Sequence, residues 1–237
     1  MALEDDIRSK AFATFKDSWP ERLGRAVPDG TTITQGNDAI HLEQATIAYA
    51  DLDQSTILVD TKMWWFAASI YKTFLYAAAR IFRSEGGTIT AYDGDRVMAV
   101  FLGADQCKAA ARAALKINWA VKMVVQPQLD ERYKAYARYE IRHTVGIDVS
   151  EIRCAQAGTR GDTDLVWVGR AANHAAKLTT RDSAYSTWVT QAVFDKLDDN
   201  TRFYQANGFR YFVWTWFDAP EVPGGKAFGS TCYWKQL

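Results

Sequence analysis

The stretch ATIAYADLDQST, residues 45–56, decides the predicted fold. Residues 45–50 are small, apolar or aromatic, as is typical of a short buried strand, and Asp51 follows directly at its end. Residues 57–82 contain no glycine or proline, which predicts one long buried helix or two helices in tandem. Asp51 is therefore expected where a buried strand gives way to a helix.

A second acidic residue falls in a predicted hairpin. Residues 88–91 and 96–102 favour strands, and Asp93-Gly94 between them supplies the positive backbone dihedral of a tight turn. If this hairpin lies beside the first strand, Asp51 and Asp95 form a site for two divalent metal ions, since magnesium and manganese prefer oxygen ligands. The alternative is that each aspartate is a turn former or a helix cap, which is the commoner role at such positions.

The remaining pattern predicts an α+β fold. Helices are expected over 5–19, 105–125 and 171–179, with a break at 126–134 around Pro127. Strands are expected over 141–149, 152–157 and 165–168. This irregular alternation, with hairpins embedded, indicates a largely antiparallel sheet covered by helices on one side.

Composition excludes several classes of protein. The 237 residues, 48% of them hydrophobic, can bury one substantial core. The 28 basic residues balance 28 acidic ones, so no excess of positive charge points to nucleic acid or an anionic membrane as a partner. An acidic, polar start, three unpaired cysteines and no long apolar run favour a cytoplasmic protein. The three histidines are scattered and expected to be structural rather than metal ligands.

Several motifs together resemble one enzyme family, the class III adenylate and guanylate cyclases, which turn a nucleoside triphosphate into a cyclic monophosphate. Residues 48–56 resemble the first metal motif of that family, and GDRVMAVF, residues 94–101, resembles its second metal hairpin. Residues 145–147 resemble a central strand, and GRAANHAAKL, residues 169–178, resembles the helix that carries the transition-state residues. The resemblance covers about residues 46–178 in the family's order.

The resemblance implies a ferredoxin-like domain that works as a head-to-tail homodimer, with each active site built from both chains. Asp51, Asp95 and the backbone of Leu52 would hold two Mn²⁺ or Mg²⁺ ions. Asn173 of the other chain would orient the ribose. Lys177 falls where the family usually has an arginine facing the α-phosphate, so either the role is kept in weaker form or another arginine has taken it.

The same resemblance suggests a division of the chain. Residues 1–40 are predicted as a helical extension, 41–190 as the catalytic domain, and 191–237 as a helix and aromatic strands that complete it. The backbone amides that open the helix after Asp51 are expected to bind the β- and γ-phosphates. These belong to Asp53, Gln54, Ser55 and Thr56.

The positions that select the base depart from the family. Adenylate cyclases resemble one another in having a lysine and an aspartate at the two positions that contact the base. This chain has Ala91 and Val166 at those positions, and their side chains cannot hydrogen-bond a base. Alternative polar contacts are expected nearby in sequence, from Tyr49, Asp93, Arg96 and Asp164. Loss of the purine contacts favours a pyrimidine triphosphate, with UTP ahead of CTP.

Short length and intact metal aspartates make the chain similar to the stand-alone pyrimidine cyclases of bacterial antiphage systems, the Pycsar family. That likeness implies a cyclic UMP or cyclic CMP signal read by a separate effector protein. The alternatives are an adenylate or guanylate cyclase and a catalytically silent nucleotide-binding dimerisation module. A diguanylate-cyclase-like protein is disfavoured, because the turn here is Tyr-Asp-Gly-Asp-Arg, residues 92–96.

Overall fold

The computed structural model describes residues 2–34, 36–136, 139–159 and 162–235. Its helices are α1 (Leu3–Lys16), α2 (Ser55–Thr61), α3 (Trp64–Ser84), α4 (Gln106–Ala120), α5 (Gln126–Arg132), α6 (Arg170–Leu178), α7 (Gln191–Phe194) and α8 (Asp199–Arg202). A π-helical turn (Val121–Val125) joins α4 to α5. Within the described ranges, no helix has the length and apolar character needed to cross a membrane.

The strands are β1 (Glu21–Leu23), β2 (Ala39–Leu52), β3 (Thr88–Asp93), β4 (Arg96–Phe101), β5 (His143–Thr159), β6 (Asp162–Val168), β7 (Thr187–Thr190), β8 (Phe203–Ala206), β9 (Phe209–Phe212), β10 (Thr215–Asp218) and β11 (Lys226–Ser230). One sheet has the order β10-β11-β7-β5-β2-β4-β3, with β1 added to β2 and β6 added to β5. Its pairs are antiparallel except β1–β2 and β5–β7. The predicted α+β fold with a largely antiparallel sheet is confirmed.

Alternating residues of the central strands face two separate cores. Ala48, Ala50 and Leu52 of β2 are buried in the core formed with α3 and α4. Ile47 of β2 and Met98 of β4 lie in the other core, together with alanines of α6. The long helices therefore cover one face of the sheet and the short helix α6 lies on the opposite face, so the prediction of helices on one side alone is wrong.

Two breaks that the sequence predicts within elements are wrong. Residues 141–157 do not form two strands, because β5 is continuous; the irregularity is a bulge in the partner strand β2, where the register shifts between Leu42 and Ala45. The helical path also continues past Pro127 as α5. Pro127 lies in the first turn of α5, after a π-helical turn, where its missing N–H costs little.

The hairpin of β3 and β4 positions the second acidic residue. Gly94 adopts a φ of +60° in its turn, as the Asp-Gly sequence predicts. Asp51 of β2 lies directly opposite Arg96, the first residue of β4. Asp95, in the turn just before Arg96, is thereby brought beside the end of β2.

The two ends of the chain differ in how they join the sheet. Helix α1 has no buried residue, although its apolar residues follow helical spacing. Strands β10 and β11 extend the main sheet through β7. The division at residues 40 and 190 itself stays a prediction.

Candidate functional site

Two carboxylates meet at the end of β2. Burial first, and the charge of Asp95 second, raise the pKa of Asp51 from its usual 3.8 to about 6. Oδ2 of Asp95 is buried and has no hydrogen-bond donor among the described residues. The hydroxyl of Thr179 lies 3.2 Å from Oδ2 of Asp51, but it also lies 2.8 Å from the carbonyl oxygen of Ala176. The charge of Arg96 lowers the pKa of Asp51, but burial and Asp95 outweigh it, so the protein itself neutralises the pair only in part.

This arrangement fits a cation. Two carboxylates that repel each other, one with an unpartnered buried oxygen, gain when a divalent ion binds between them. The described side chains include no group of three or more His, Cys, Asp or Glu that could hold a metal ion. A metal at Asp51 and Asp95 would therefore take further oxygen ligands from the backbone, from water or from a bound phosphate.

The segment after Asp51 turns sharply into α2. Gln54 has a φ of +56°, a left-handed conformation that ends the strand direction, and α2 begins at Ser55. The backbone N–H of Asp53 donates to the carbonyl of Arg142 at 2.9 Å, and its carboxylate accepts from the hydroxyl of Ser183 at 2.7 Å. The N–H of Asp53, predicted to bind phosphate, is therefore already engaged. The first N–H groups of a helix have no intrahelical acceptor, so those of Ser55, Thr56 and Ile57 have none within α2, whose first such bond is from Leu58 to Gln54.

The predicted base contacts divide into two places. Arg96 connects the first group: its Nη2 donates to Asp93 at 3.0 Å, and its guanidinium carbon lies 5.3 Å from the ring centroid of Tyr49. Its Nε is buried and has no acceptor in the described structure. Burial opposes the charge of Arg96, but the hydrogen bond to Asp93 and the charge of Asp51 raise its pKa overall. Ala91 lies two strands from Tyr49, since both are paired with Met98.

The second group lies far from the carboxylates of the same chain. Val166 on β6 is opposite Ala155 of β5, with Asp164 two residues further out, whereas Asp51 is opposite Thr144. The segment of β5 from Thr144 to Ala155 spans roughly 36 Å at about 3.3 Å per residue. Asp164 and Val166 therefore do not belong to the site that contains Asp51 of their own chain.

Helix α6 presents the last two predicted residues to solvent. Asn173 and Lys177, one helical turn apart, are both exposed on α6. Neither side chain forms a hydrogen bond or ion pair with another residue in the described ranges. They are free to contact a ligand or a second chain.

The sequence did not predict the residues that hydrogen-bond to the site residues and hold them in place. Thr179 contacts Asp51, Ser183 contacts Asp53, and Tyr71 donates to the carbonyl of Ser55 at 3.3 Å. Each contact joins segments that are distant in sequence, and single threonines, serines and tyrosines carry no local signal. Thr179 is the last residue of the predicted helix 171–179, Ser183 follows that helix, and Tyr71 lies inside the predicted long helix 57–82; these positions alone do not indicate contact with the site.

Comparison with known proteins gives close relatives. The chain is 49% identical over 209 residues to a uridylate cyclase of Burkholderia cepacia, covering 88% of this chain and 89% of the relative. It is 47% identical over 203 residues to a uridylate cyclase of Xanthomonas perforans, covering 85% and 87%. The sequence matches no protein-family model.

Solved structures resemble the fold at lower identity. The adenylyl cyclase CyaB from P. aeruginosa superimposes with a TM-score of 0.65 at 16% identity, covering 84% of this chain and 98% of that one. The guanylyl cyclase Cya2 superimposes with a TM-score of 0.61 at 14% identity, covering 83% and 95%. Adenylyl and guanylyl cyclases thus share this fold, so the fold alone does not distinguish among cyclase families. The sequence relatives do, because both are uridylate cyclases. The chain belongs to the uridylate cyclase family, whose fold is that of the class III nucleotide cyclases.

Proposed function

We propose that this nucleotide cyclase converts UTP to 3′,5′-cyclic UMP and diphosphate. The observation that carries the reaction is the pair of apposed carboxylates: burial first and the charge of Asp95 second raise the pKa of Asp51, and Oδ2 of Asp95 has no hydrogen-bond partner among the described residues. The choice of uridine rests on the relatives, which are named uridylate cyclases at 47% and 49% identity.

Asp51 and Asp95, with the backbone carbonyl of Leu52, hold two divalent cations, Mn²⁺ or Mg²⁺, in this proposal. When bound, these cations neutralise the triphosphate and favour the ionised form of the ribose 3′-hydroxyl. Asp51 has to lose its proton before it can bind metal; its pKa is raised to about 6 but still lies below neutral pH, so most of the group is ionised there.

The chemical step is an internal displacement. The 3′-oxygen of the ribose forms a bond to the α-phosphorus and gives up its proton, while the bond from that phosphorus to the bridging oxygen breaks and diphosphate leaves. The N–H groups of Ser55 and Thr56 at the start of α2 bind the departing phosphates. Asn173 of the partner chain orients the ribose, and the partner's Lys177 faces the charge that develops on the α-phosphate.

The site is composite in this proposal. Asn173 and Lys177 are exposed and make no side-chain contact within the described part of their own chain, which leaves them available to a partner. Val166 and Asp164 are too far along β5 and β6 to reach Asp51 of the same chain. A head-to-tail homodimer brings each set to the other chain's carboxylates.

Arg96 favours uracil over cytosine. Its buried Nε–H lacks an acceptor among the described residues, and the C4 carbonyl of uracil, which cytosine replaces with an amine, supplies one. The carboxylates that would attract the exocyclic amine of cytosine each already accept one hydrogen bond, Asp93 from Arg96 and Asp164 from the N–H of Leu165 at 2.7 Å, which weakens that attraction. The side chains of Ala91 and Val166 offer no partner to a purine edge.

The deciding experiment is incubation of the chain with each of the four ribonucleoside triphosphates and Mn²⁺, followed by mass analysis of the products. Cyclic UMP as the main product supports the proposal. If cyclic CMP, cyclic AMP or cyclic GMP is the main product, the assigned base is wrong but the assignment as a nucleotide cyclase stands. If no cyclic product forms under conditions in which a relative is active, the chain is not an active cyclase, and a catalytically silent nucleotide-binding module is favoured.

The biological role follows from the likeness to pyrimidine cyclases of antiphage systems. In this role the chain acts in the cytoplasm, and cyclic UMP is the second messenger that activates a separate effector protein. Cells that carry the wild-type chain should accumulate cyclic UMP after phage infection, and cells that carry Asp51→Ala should not. Equal cyclic UMP before and after infection would contradict this role without affecting the enzymatic assignment.

A further inference from the structure

A buried charged cluster lies between β5 and α6, away from the apposed carboxylates. Asp148 of β5 is fully buried. One carboxylate oxygen accepts from the hydroxyl of Thr190 at 2.6 Å. The other lies 3.2 Å from Nδ1 of His174 and 3.6 Å from Nε of Arg170, both on α6. A buried charge with partners on one short helix fixes that helix to the sheet.

Three alternate residues of β5 contact α6 in turn. Gly146 lies so close to the helix that a Cβ there would be 2.2 Å from the carbonyl oxygen of Ala175. Asp148 holds the middle of the helix, and the hydroxyl of Ser150 accepts from the N–H of Ala171 at 3.0 Å. The period of two matches the pleat of β5, so one face of this strand acts as a continuous support for α6.

Helix α6 needs such a support. With nine residues it is shorter than an isolated helix requires for stability in water, so its position depends on tertiary contacts. His174 directly follows Asn173, and Arg170 lies one turn before it. A shift at His174 therefore moves Asn173 and Lys177 with it.

We infer that Asp148 and His174 are positioning residues, which set the placement of Asn173 and Lys177 in the active site of the partner chain. This inference rests on the proposed function, because it assigns the exposed face of α6 to the chemistry of the other subunit. His174 acts through Asn173 and touches no substrate. Loss of its contact to Asp148 leaves substrate binding at the carboxylates in place and misaligns the ribose.

Steady-state kinetics with UTP and Mn²⁺ test the kinetic part. His174→Ala should lower kcat about 10- to 100-fold, because a displacement of about 1 Å has effects of that size, and should change KM for UTP less than about threefold. His174→Asn, which keeps a side-chain nitrogen near the place of Nδ1, should recover most of the loss.

Thr190→Val is the matched control. It removes a hydrogen bond from the same buried carboxylate but leaves the contacts to α6. We expect it to lower the melting temperature at least as much as His174→Ala does and to keep kcat within about twofold of wild type, because it removes no tie to the catalytic helix. If the two variants lower kcat equally, the loss comes from general destabilisation and the inference is wrong.

Mixing experiments test the assignment to the partner site. Asp51→Ala mixed with Asn173→Ala is the reference pair, and equal subunit exchange should restore roughly a quarter of wild-type activity, since half the dimers are mixed and each has one intact site. His174→Ala should behave as Asn173→Ala does. It should recover activity with Asp51→Ala and gain none with Asn173→Ala.

The outcomes separate the two proposals. Failure of the reference pair after verified exchange contradicts the composite site. If His174→Ala still lowers kcat selectively in that case, α6 acts within its own chain and the positioning role in the partner's site is wrong. If the reference pair works and His174→Ala keeps wild-type kcat, or complements Asn173→Ala, the inference is overturned while the proposed function stands.

Discussion

Asp148 and Asp51 lie on the neighbouring strands β5 and β2, and their carboxylates differ in how many protein partners they have. Asp148 is fully buried but has Thr190, His174 and Arg170 around it. Asp51 is only half-buried, and its hydrogen-bonding neighbour Thr179 is shared with another acceptor. The less buried carboxylate is therefore the less satisfied one.

The difference separates a structural carboxylate from a ligand-binding one. Protein donors surround Asp148, which leaves no need for a cation. Asp51 faces Asp95, and burial together with that like charge raises its pKa to about 6. A perturbed carboxylate beside an unpartnered one indicates a site completed by something that the chain does not supply.

The largest expected effect comes from removing either site carboxylate. Asp51→Ala or Asp95→Ala should reduce kcat with UTP and Mn²⁺ on the order of 1,000-fold or more, because each removes a charged ligand of a shared metal pair. Circular dichroism and sizing should match the wild type. Asp105→Ala, which removes an exposed aspartate that pairs with Lys108, is the control and should keep normal turnover. Near-normal turnover of either site variant at saturating Mn²⁺ would show that the metal assignment is wrong.

A second effect concerns the base. Arg96→Lys keeps the positive charge beside Asp51 but loses the buried Nε–H. The ratio of kcat/KM for UTP to that for CTP should fall about tenfold, since a missing hydrogen bond in a polar site costs roughly that much. Taking the ratio cancels effects on metal binding that the two substrates share. An unchanged ratio would mean that Arg96 does not contact the base.

Much of this site was accessible from the sequence because its residues lie at element boundaries. Strand-ending Asp51 and the Asp-Gly turn before Asp95 are local patterns, and the structure has both where the patterns predict. Their apposition required pairing of β2 with the β3–β4 hairpin, which a chain with hairpins embedded in an α+β pattern favours. The roles of the site residues stay predictions.

The contacts that hold α6 on the sheet could not be predicted from the sequence. Asp148, near the end of the predicted strand 141–149, gives no sign that it meets His174 and Thr190, which lie 26 and 42 residues away. The continuity of β5 was missed because a bulge in β2, not a turn in β5, absorbs the irregularity. Such long-range contacts depend on register between strands, and no local pattern encodes them.

Replacement by asparagine should change the free energy of unfolding in opposite directions at the two aspartates. The pKa of Asp51 is raised from 3.8 to about 6, so the folded state holds its proton more tightly; this stabilising contribution is fully present below pH 3.8 and is lost as pH rises from there through about 6. Asp51→Asn should therefore stabilise the metal-free protein at pH 8 by on the order of 1 kcal/mol, after allowance for solvent screening of a half-buried group, with a smaller gain at pH 5. Asp148→Asn should destabilise it at pH 8, because it breaks the pairing with Arg170.

Urea unfolding in the presence of a chelator, at pH 5, 6, 7 and 8, measures both variants. The comparison fails if the two substitutions change the free energy of unfolding in the same direction at pH 8. A gain for Asp51→Asn that does not depend on pH would place its origin in packing rather than in the charge.

The smallest effect is expected at Thr179. Its single hydroxyl hydrogen has two possible acceptors, the carbonyl of Ala176 at 2.8 Å and Oδ2 of Asp51 at 3.2 Å, so its donation to Asp51 is partial. That donation lowers the pKa of Asp51, and Thr179→Val should raise it further, by less than about one pH unit. Because Mn²⁺ competes with the proton, the variant should bind Mn²⁺ a few-fold more weakly at pH 6 and equally at pH 8. Calorimetric titration with Mn²⁺ at the two pH values checks this, and an equal loss at both would mean that Thr179 acts on the shape of the site and not on the charge of Asp51.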